Sequence, residues 1–337
     1  VSCSQRPARG PVFSLLLLLV ALAGCAAGGL PRKGWTHYRV GEVDFYSGAP
    51  QRRTEELLDA FAKFRVVTAK LTSASSVEPR LPTRVFMFPD QLSYQAHSSA
   101  KASGGQFAIR DGKFTLALDA RQEAGVPELL LHEYTHLILA NVGGANYPHW
   151  YHEGYAELMS SVRIVGNDVQ LGRVPSHNVG AVADFSRWIP QEELIAGDIF
   201  TTRGDPERLH RAYAQAWTTV HYLLIGDPQR IPQLNAYLAA VSEGADPVAT
   251  AREAFGMTMQ EFEKLLRDYI RSRNVTYRLI PTSEFDFAEV ELSPTPLTPA
   301  ATAARLADMC WSIGNEELAR KLAQSAVAAG ESDPLPR

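Results

Sequence analysis

Apolar and polar positions along this chain change period several times, and each change marks an expected element. An unbroken apolar run, Val12–Ala23, holds five consecutive leucines and is too short to span a bilayer comfortably. Val40–Tyr46 reads as a strand, and the spacing of Leu57, Leu58, Phe61 and Phe64 predicts a helix over Arg52–Leu71. Pro79 and Pro82 break the chain before a short apolar strand, Thr83–Phe88, ended by Pro89-Asp90. Gln106–Arg110 and Lys113–Asp119 flank Asp111-Gly112, a strong signal for a hairpin.

Beyond the hairpin the period becomes helical. A helix is expected from Pro127 to Asn141, with Pro suited to its first turn and Gly143-Gly144 as its stop. Pro148 opens a second helix, His149–Val162, and another hairpin is expected near Asn167-Asp168. Asp205 to Arg273 is mostly helical, broken at Gly226-Asp227-Pro228, Gly244–Pro247 and Gly256. Val275–Ile280 and Phe285–Leu292 read as strands, and Ser293–Pro299 (SPTPLTP) as a linker. Residues 300–330 read as a helical hairpin. The pattern predicts an α+β fold: an N-terminal mixed sheet with an edge hairpin, a mainly helical C-terminal subdomain, then the small hairpin.

Composition narrows the setting. The 337 residues are ample for a buried core, and the hydrophobic and charged fractions, 45% and 21%, are ordinary for a globular protein. A formal net charge of -4 is too mild, and of the wrong sign, for a nucleic-acid partner. Arg6 and Arg9 precede the apolar run, which ends in Leu22-Ala23-Gly24-Cys25. That tetrapeptide resembles the lipobox of bacterial lipoproteins. The resemblance implies a signal peptide over 1–24, a lipidated Cys25, a tether over 25–34 and a lipid anchor in the envelope membrane. Ala26 and Ala27, with no Asp, would permit outer-membrane sorting. The other reading is an ordinary secretory signal with an incidental Cys. Either way Cys3 leaves with the signal. With Cys25 lipidated, Cys310 is alone, so no internal disulfide is expected and Cys310 reads as a small core residue.

The chemistry sits in His132-Glu133-Tyr134-Thr135-His136. Histidines four apart on a helix project from one face, where both imidazoles reach one Zn²⁺. Glu133 is placed to take a proton from a zinc-activated water. Leu129, Leu130, Leu131, Leu137 and Ile138 supply an apolar surround. The alternative is a half-buried helix with two satisfied histidines. A third His six residues past His136 would suggest a metzincin, but Val142 stands there.

Downstream lies Pro148-His149-Trp150-Tyr151-His152-Glu153-Gly154-Tyr155-Ala156-Glu157. With this segment the chain resembles the gluzincin metallopeptidases, and best the bacterial peptidase-MA-like group, some of which carry tetratricopeptide repeats. The resemblance spans roughly residues 35–275, and its specific part is 129–160. It implies a zincin-like domain over 35–292, a linker over 293–299 and a tetratricopeptide-like hairpin over 300–337, with Gly314, Ala319 and Ala326 as the small packing residues. It implies one zinc ion per chain on His132, His136 and Glu153. Glu157, one turn beyond Glu153, would hold the ring of His132. Tyr213 would stabilise the oxyanion, although the Lys-Gly that follows this Tyr in the aminopeptidases is missing; otherwise it is a Tyr packed in a helical core. The edge hairpin would pair with an extended peptide or protein substrate.

His149 and His152 are rival third ligands, and His210 and His221 are weaker alternatives to Tyr213. His37, His97 and His177 have no motif context and read as structural or surface residues. The expected activity is peptide hydrolysis, with Glu133 as general base. The competing reading is a non-catalytic envelope scaffold that binds a protein partner through the C-terminal hairpin, its zinc structural or absent. The hairpin cannot bury its face alone, so it must dock on the preceding domain, on another chain, or on further repeats.

Overall fold

The computed structural model describes residues 30–31, 34–74, 76–99, 105–121, 128–142, 146–201, 205–272 and 275–331. The expected signal, Cys25 and most of the tether lie outside them, as do Pro127 and Gly143-Gly144. The fold is α+β. Antiparallel β1 (Thr36–Val40) and β2 (Val43–Ser47) lead into α1 (Gln51–Thr72) and then β3 (Thr83–Phe88), parallel to β2. After α2 (Gln91–His97), β4 (Gly105–Arg110) and β5 (Lys113–Asp119) form the expected hairpin. Asp111 and Gly112 both have positive φ, 52° and 69°, as a two-residue turn of this hand requires.

Pro89-Asp90 closes β3 as expected but also opens α2, since the Asp90 carboxylate accepts from Ser93 N at 2.7 Å. Seven residues are too few for a helical period to show in the sequence.

The helical part contains α3 (Glu128–Asn141), α4 (His149–Ser160), α5 (Val179–Ala183), α6 (Gln191–Ala196), α7 (Asp198–Thr201), α8 (Pro206–His221), α9 (Ile231–Ser242), α10 (Pro247–Phe255) and α11 (Met259–Arg271). β6 (Arg163–Val165), β7 (Asp168–Leu171) and β8 (Arg278–Pro281) make a small antiparallel sheet. Phe285–Leu292 is not a strand: it has no ladder partner among the described residues. Its apolar side chains act as separate anchors, with Phe285 buried and stacked on Phe287.

The segment expected to be a linker belongs to the main sheet. β9 (Thr295–Pro296) pairs with Thr36 and His37 of β1, completing the order β4-β5-β3-β2-β1-β9. Proline is tolerated there because an outer strand can spare a donor. α12 (Pro299–Ser312) and α13 (Glu316–Ala328) follow and cover one face of the sheet. Strand alternation explains why that face is apolar. Val85, Met87, Leu116 and Leu118 pack with Leu57, Phe61 and Phe64 of α1, while Phe86, Phe88 and Ala117 meet Ala303, Leu306 and Leu322. The hairpin therefore docks on the preceding domain. Cys310 is buried there, and burial pushes its thiol up to about 12. No helix among the described residues is long and apolar enough to cross a membrane.

Two buried polar devices lock the fold, one under α12 and one in the helical part. Arg84 of β3, buried under α12, donates to Thr115 Oγ1 at 2.8 Å and Ser312 Oγ at 3.2 Å, and pairs with Asp308. Substituting Asp308→Ala leaves this guanidinium uncompensated and should lower unfolding free energy by about 3–5 kcal/mol in urea denaturation. The double variant Arg84→Met/Asp308→Leu should recover most of it.

His221, at the end of α8, is fully buried. It lies 2.9 Å from Gly172 O through Nε2 and 2.9 Å from Tyr269 Oη through Nδ1. Burial lowers its pKa from 6.5 to about 4, against the pull of carbonyls at Gly172 and Thr276. As pH falls from about 6.5 towards 4, the unfolded chain gains a proton that the folded chain refuses, so stability falls. The loss from this group should reach about 2 kcal/mol at pH 5. The difference in unfolding free energy between pH 7.5 and 5 should shrink by that amount in His221→Phe.

Candidate metal centre

α3 is held by its apolar face, where Leu130, Leu131, Tyr134 and Ile138 are buried. Tyr134 packs edge-on to Phe61 of α1 at 4.9 Å, and its hydroxyl accepts from Arg65 Nε at 3.0 Å. With that face fixed inward, helical geometry turns His132 and His136 to the other side. Their Nε2 atoms are 3.1 Å apart.

α4 brings the third group. Trp150 anchors it, fully buried and donating to Tyr237 Oη at 3.0 Å. Glu153 Oε2 then lies 3.3 Å from His132 Nε2 and 3.4 Å from His136 Nε2. One ligand atom from each of the three residues falls within 4.8 Å of the others. Glu153 Oε2 is buried and makes no hydrogen bond. A buried carboxylate oxygen without a donor, facing two ring nitrogens, is the arrangement expected where a cation supplies the missing partner. The cluster fits a divalent metal ion.

Gly154 shows why a glycine follows the ligand. A Cβ at this position would lie 2.4 Å from Ala216 O and 2.7 Å from Val220 Cγ2 of α8. Only glycine lets α4 approach α8 this closely. That approach brings Tyr213 of α8 to the site, with its ring 6.1 Å from that of His132. Burial, and then the charges of Glu153, Glu133 and Glu157, raise the Tyr213 pKa, so the hydroxyl keeps its proton.

Glu133 is buried beside the cluster. Burial raises its pKa to about 7; Glu153 and Glu157 add to the rise and His132 opposes it. Glu157 Oε1 lies 3.4 Å from His132 Nδ1, the nitrogen turned away from the cluster. Glu133, Tyr213, Leu129, Leu209 and Gly105 line a cleft of about 650 Å³ that opens on this side.

The remaining histidines separate cleanly. Neither His149 nor His152 joins the ligand cluster among the described residues. His149 is exposed at the start of α4, and the His152 ring is 5.9 Å from that of His136. His221 is a core residue, as described above. His37 pairs with Asp44 and His97 with Ser93 O. His177, read from sequence as structural or surface, instead lines the cleft between Glu128 and Glu157, with His210 stacked beside it. Its signal is absent because it lies on a 3₁₀ turn (Ser176–Asn178) that the chain's periods do not reveal. Glu128 had a weak signal, standing four residues before His132 on the same helix.

A family model described as a protein of unknown function (DUF1570) matches residues 128–247. The match begins at the first residue of α3 and contains His132, Glu133, His136, Glu153, Glu157, His177 and Tyr213. No curated protein matches the chain.

The purified protein should take up one divalent transition ion per chain, measured by elemental analysis. Glu153→Ala should weaken uptake more than about 100-fold, exceeding the loss typical of residues behind the ligands.

Proposed function

We propose that this chain is a zinc-dependent peptidase of gluzincin type. The observation that carries the reading is the convergence of His132 Nε2, His136 Nε2 and the donorless Glu153 Oε2, with His132 and Glu133 lining the neighbouring cleft. A closed structural zinc site needs four protein ligands, whereas this cluster has three among the described residues. That favours catalysis over the scaffold reading. The C-terminal hairpin spends its apolar face on the sheet, which leaves only its outer face for a partner.

Zinc held by the three ligands would supply a Lewis acid and bring the pKa of water to about 7. Glu133, at the same wall, takes the proton of the attacking water and returns it to the leaving amine. Tyr213, protonated and lining the same cleft, donates to the carbonyl oxygen as it gains charge. Glu157 orients His132. The outer strand β4 reaches the cleft through Gly105, and an extended peptide laid along it would present its backbone to the site. On the sequence signals alone, the enzyme is placed in the bacterial envelope, lipid-anchored through Cys25.

Glu133→Gln should lower cleavage of an unbiased peptide library by at least about 10²-fold while retaining one zinc. Tyr213→Phe should lower kcat about 10²–10³-fold with little change in KM. Full activity in Glu133→Gln would exclude this mechanism. Bound zinc without cleavage of any peptide would favour the scaffold.

A further inference from the structure

Two carboxylates on the cleft wall beside the metal cluster grip one imidazole. His177 Nδ1 lies 3.1 Å from Glu128 Oε2, and His177 Nε2 lies 3.1 Å from Glu157 Oε2. Ionised carboxylates only accept hydrogen bonds, so a ring serving both must carry a proton on each nitrogen. Burial opposes the charged ring, but the two carboxylates outweigh it and raise its pKa to about 10. Glu128 is itself fixed by Arg163 Nη2 at 2.9 Å and Ser176 Oγ at 3.1 Å. Burial works against its charge too, yet His177, Ser176 and Arg163 hold its carboxyl down at about 2.

The next residue completes the grip. Asn178 is fully buried and donates Nδ2 to the same Glu157 Oε2 at 2.8 Å. Neighbouring side chains of one 3₁₀ turn thus hold one oxygen of Glu157, leaving Oε1 for His132 Nδ1. Both nitrogens of His177 are engaged, so it has none to offer a metal ion or a substrate.

We infer that His177 is a positioning residue of the metal centre: by clamping Glu157 against Glu128 it fixes His132 with Nδ1–H towards Glu157 and Nε2 towards the metal. The inference rests on the metal-centre reading and is independent of whether peptides are hydrolysed. It extends the ordered chain to His132, Glu157, His177, Glu128 and Arg163, joining α3 and α4 behind the ligands.

The test is a Zn²⁺ titration of metal-free protein in competition with a chromogenic chelator. His177→Ala should weaken zinc binding about 10–100-fold, the range typical when a partner behind a ligand is lost. His177→Arg, a cation with donors for both carboxylates, should recover most of that loss. Glu128→Gln, which removes only the charge of one anchor, should weaken binding less than His177→Ala. Nitrogen-15 spectra of the wild type need no substitution. They should show His177 protonated on both nitrogens at pH 8, and His132 carrying its proton on Nδ1 when zinc is bound.

Zinc affinity within about threefold of wild type in a folded His177→Ala would overturn the role, since positioning losses start near tenfold. A wild-type His177 with one protonated nitrogen at pH 8 would do the same. A wild type that takes up no zinc overturns the metal-centre reading and this role together. If His177→Ala does not fold, the wild-type spectra and Glu128→Gln decide.

Discussion

The contact between α4 and α8 at Gly154 is the constraint on which the rest of the site depends. Two helices meet there with backbone carbonyl against Cα, closer than any side chain would permit. The contact brings Glu153 and Tyr213 to one site, while α3, held on α1 by Tyr134, delivers the two histidines to it. Each ligand thus comes from a helix whose opposite face is locked in the core. The ligand atoms are brought together by packing, against their own electrostatics, since four carboxylates stand near one another with few cations among them. Glu128 and Glu157 share His177, and Arg163 also serves Glu128. For Glu133, burial together with Glu153 and Glu157 outweighs the pull of His132, which is why its pKa is raised.

How much of this was legible depends on whether a residue's role follows from a local period. His132, Glu133 and His136 were legible because a helix converts spacing into direction. Glu153 and Glu157 were legible only through the resemblance, since nothing local says that a second helix folds back on the first. Glu153-Gly154 has a physical reason that only the packing supplies. His177 and Asn178 were invisible: a 3₁₀ turn that follows Pro175, just past a strand ended by Gly172, carries no pattern that points at a carboxylate about twenty residues away.

The same distinction runs through the fold. Asp111-Gly112 named its hairpin because both residues tolerate positive φ. Thr83–Phe88 gave its type but not its surroundings, since an apolar run on both faces requires two covering layers and the sequence does not say which they are. The second layer is α12 and α13, more than 200 residues further along. Ser293–Pro299 misled because its prolines read as a spacer, whereas an outer strand beside β1 accepts Pro296 without losing a ladder bond. Phe285–Leu292 misled in the opposite sense, since strand-like residues need a neighbouring edge and none lies beside them among the described residues.

Covering the far face of the sheet with the last helices has a consequence for how the molecule is made. During synthesis β1 to β5 emerge long before residues 299–328, so Phe86, Phe88 and Ala117 lack the cover of α12 and α13 until those helices are made. The nascent chain therefore carries a sticky sheet surface beside its outer strands, the kind of intermediate that aggregates or recruits a chaperone. Closing β9 against β1 joins segments some 260 residues apart, a slow, non-local step. The cluster that could hold a metal ion has no such wait, since His132, His136, Glu153 and the α8 helix that packs on Gly154 all precede residue 222.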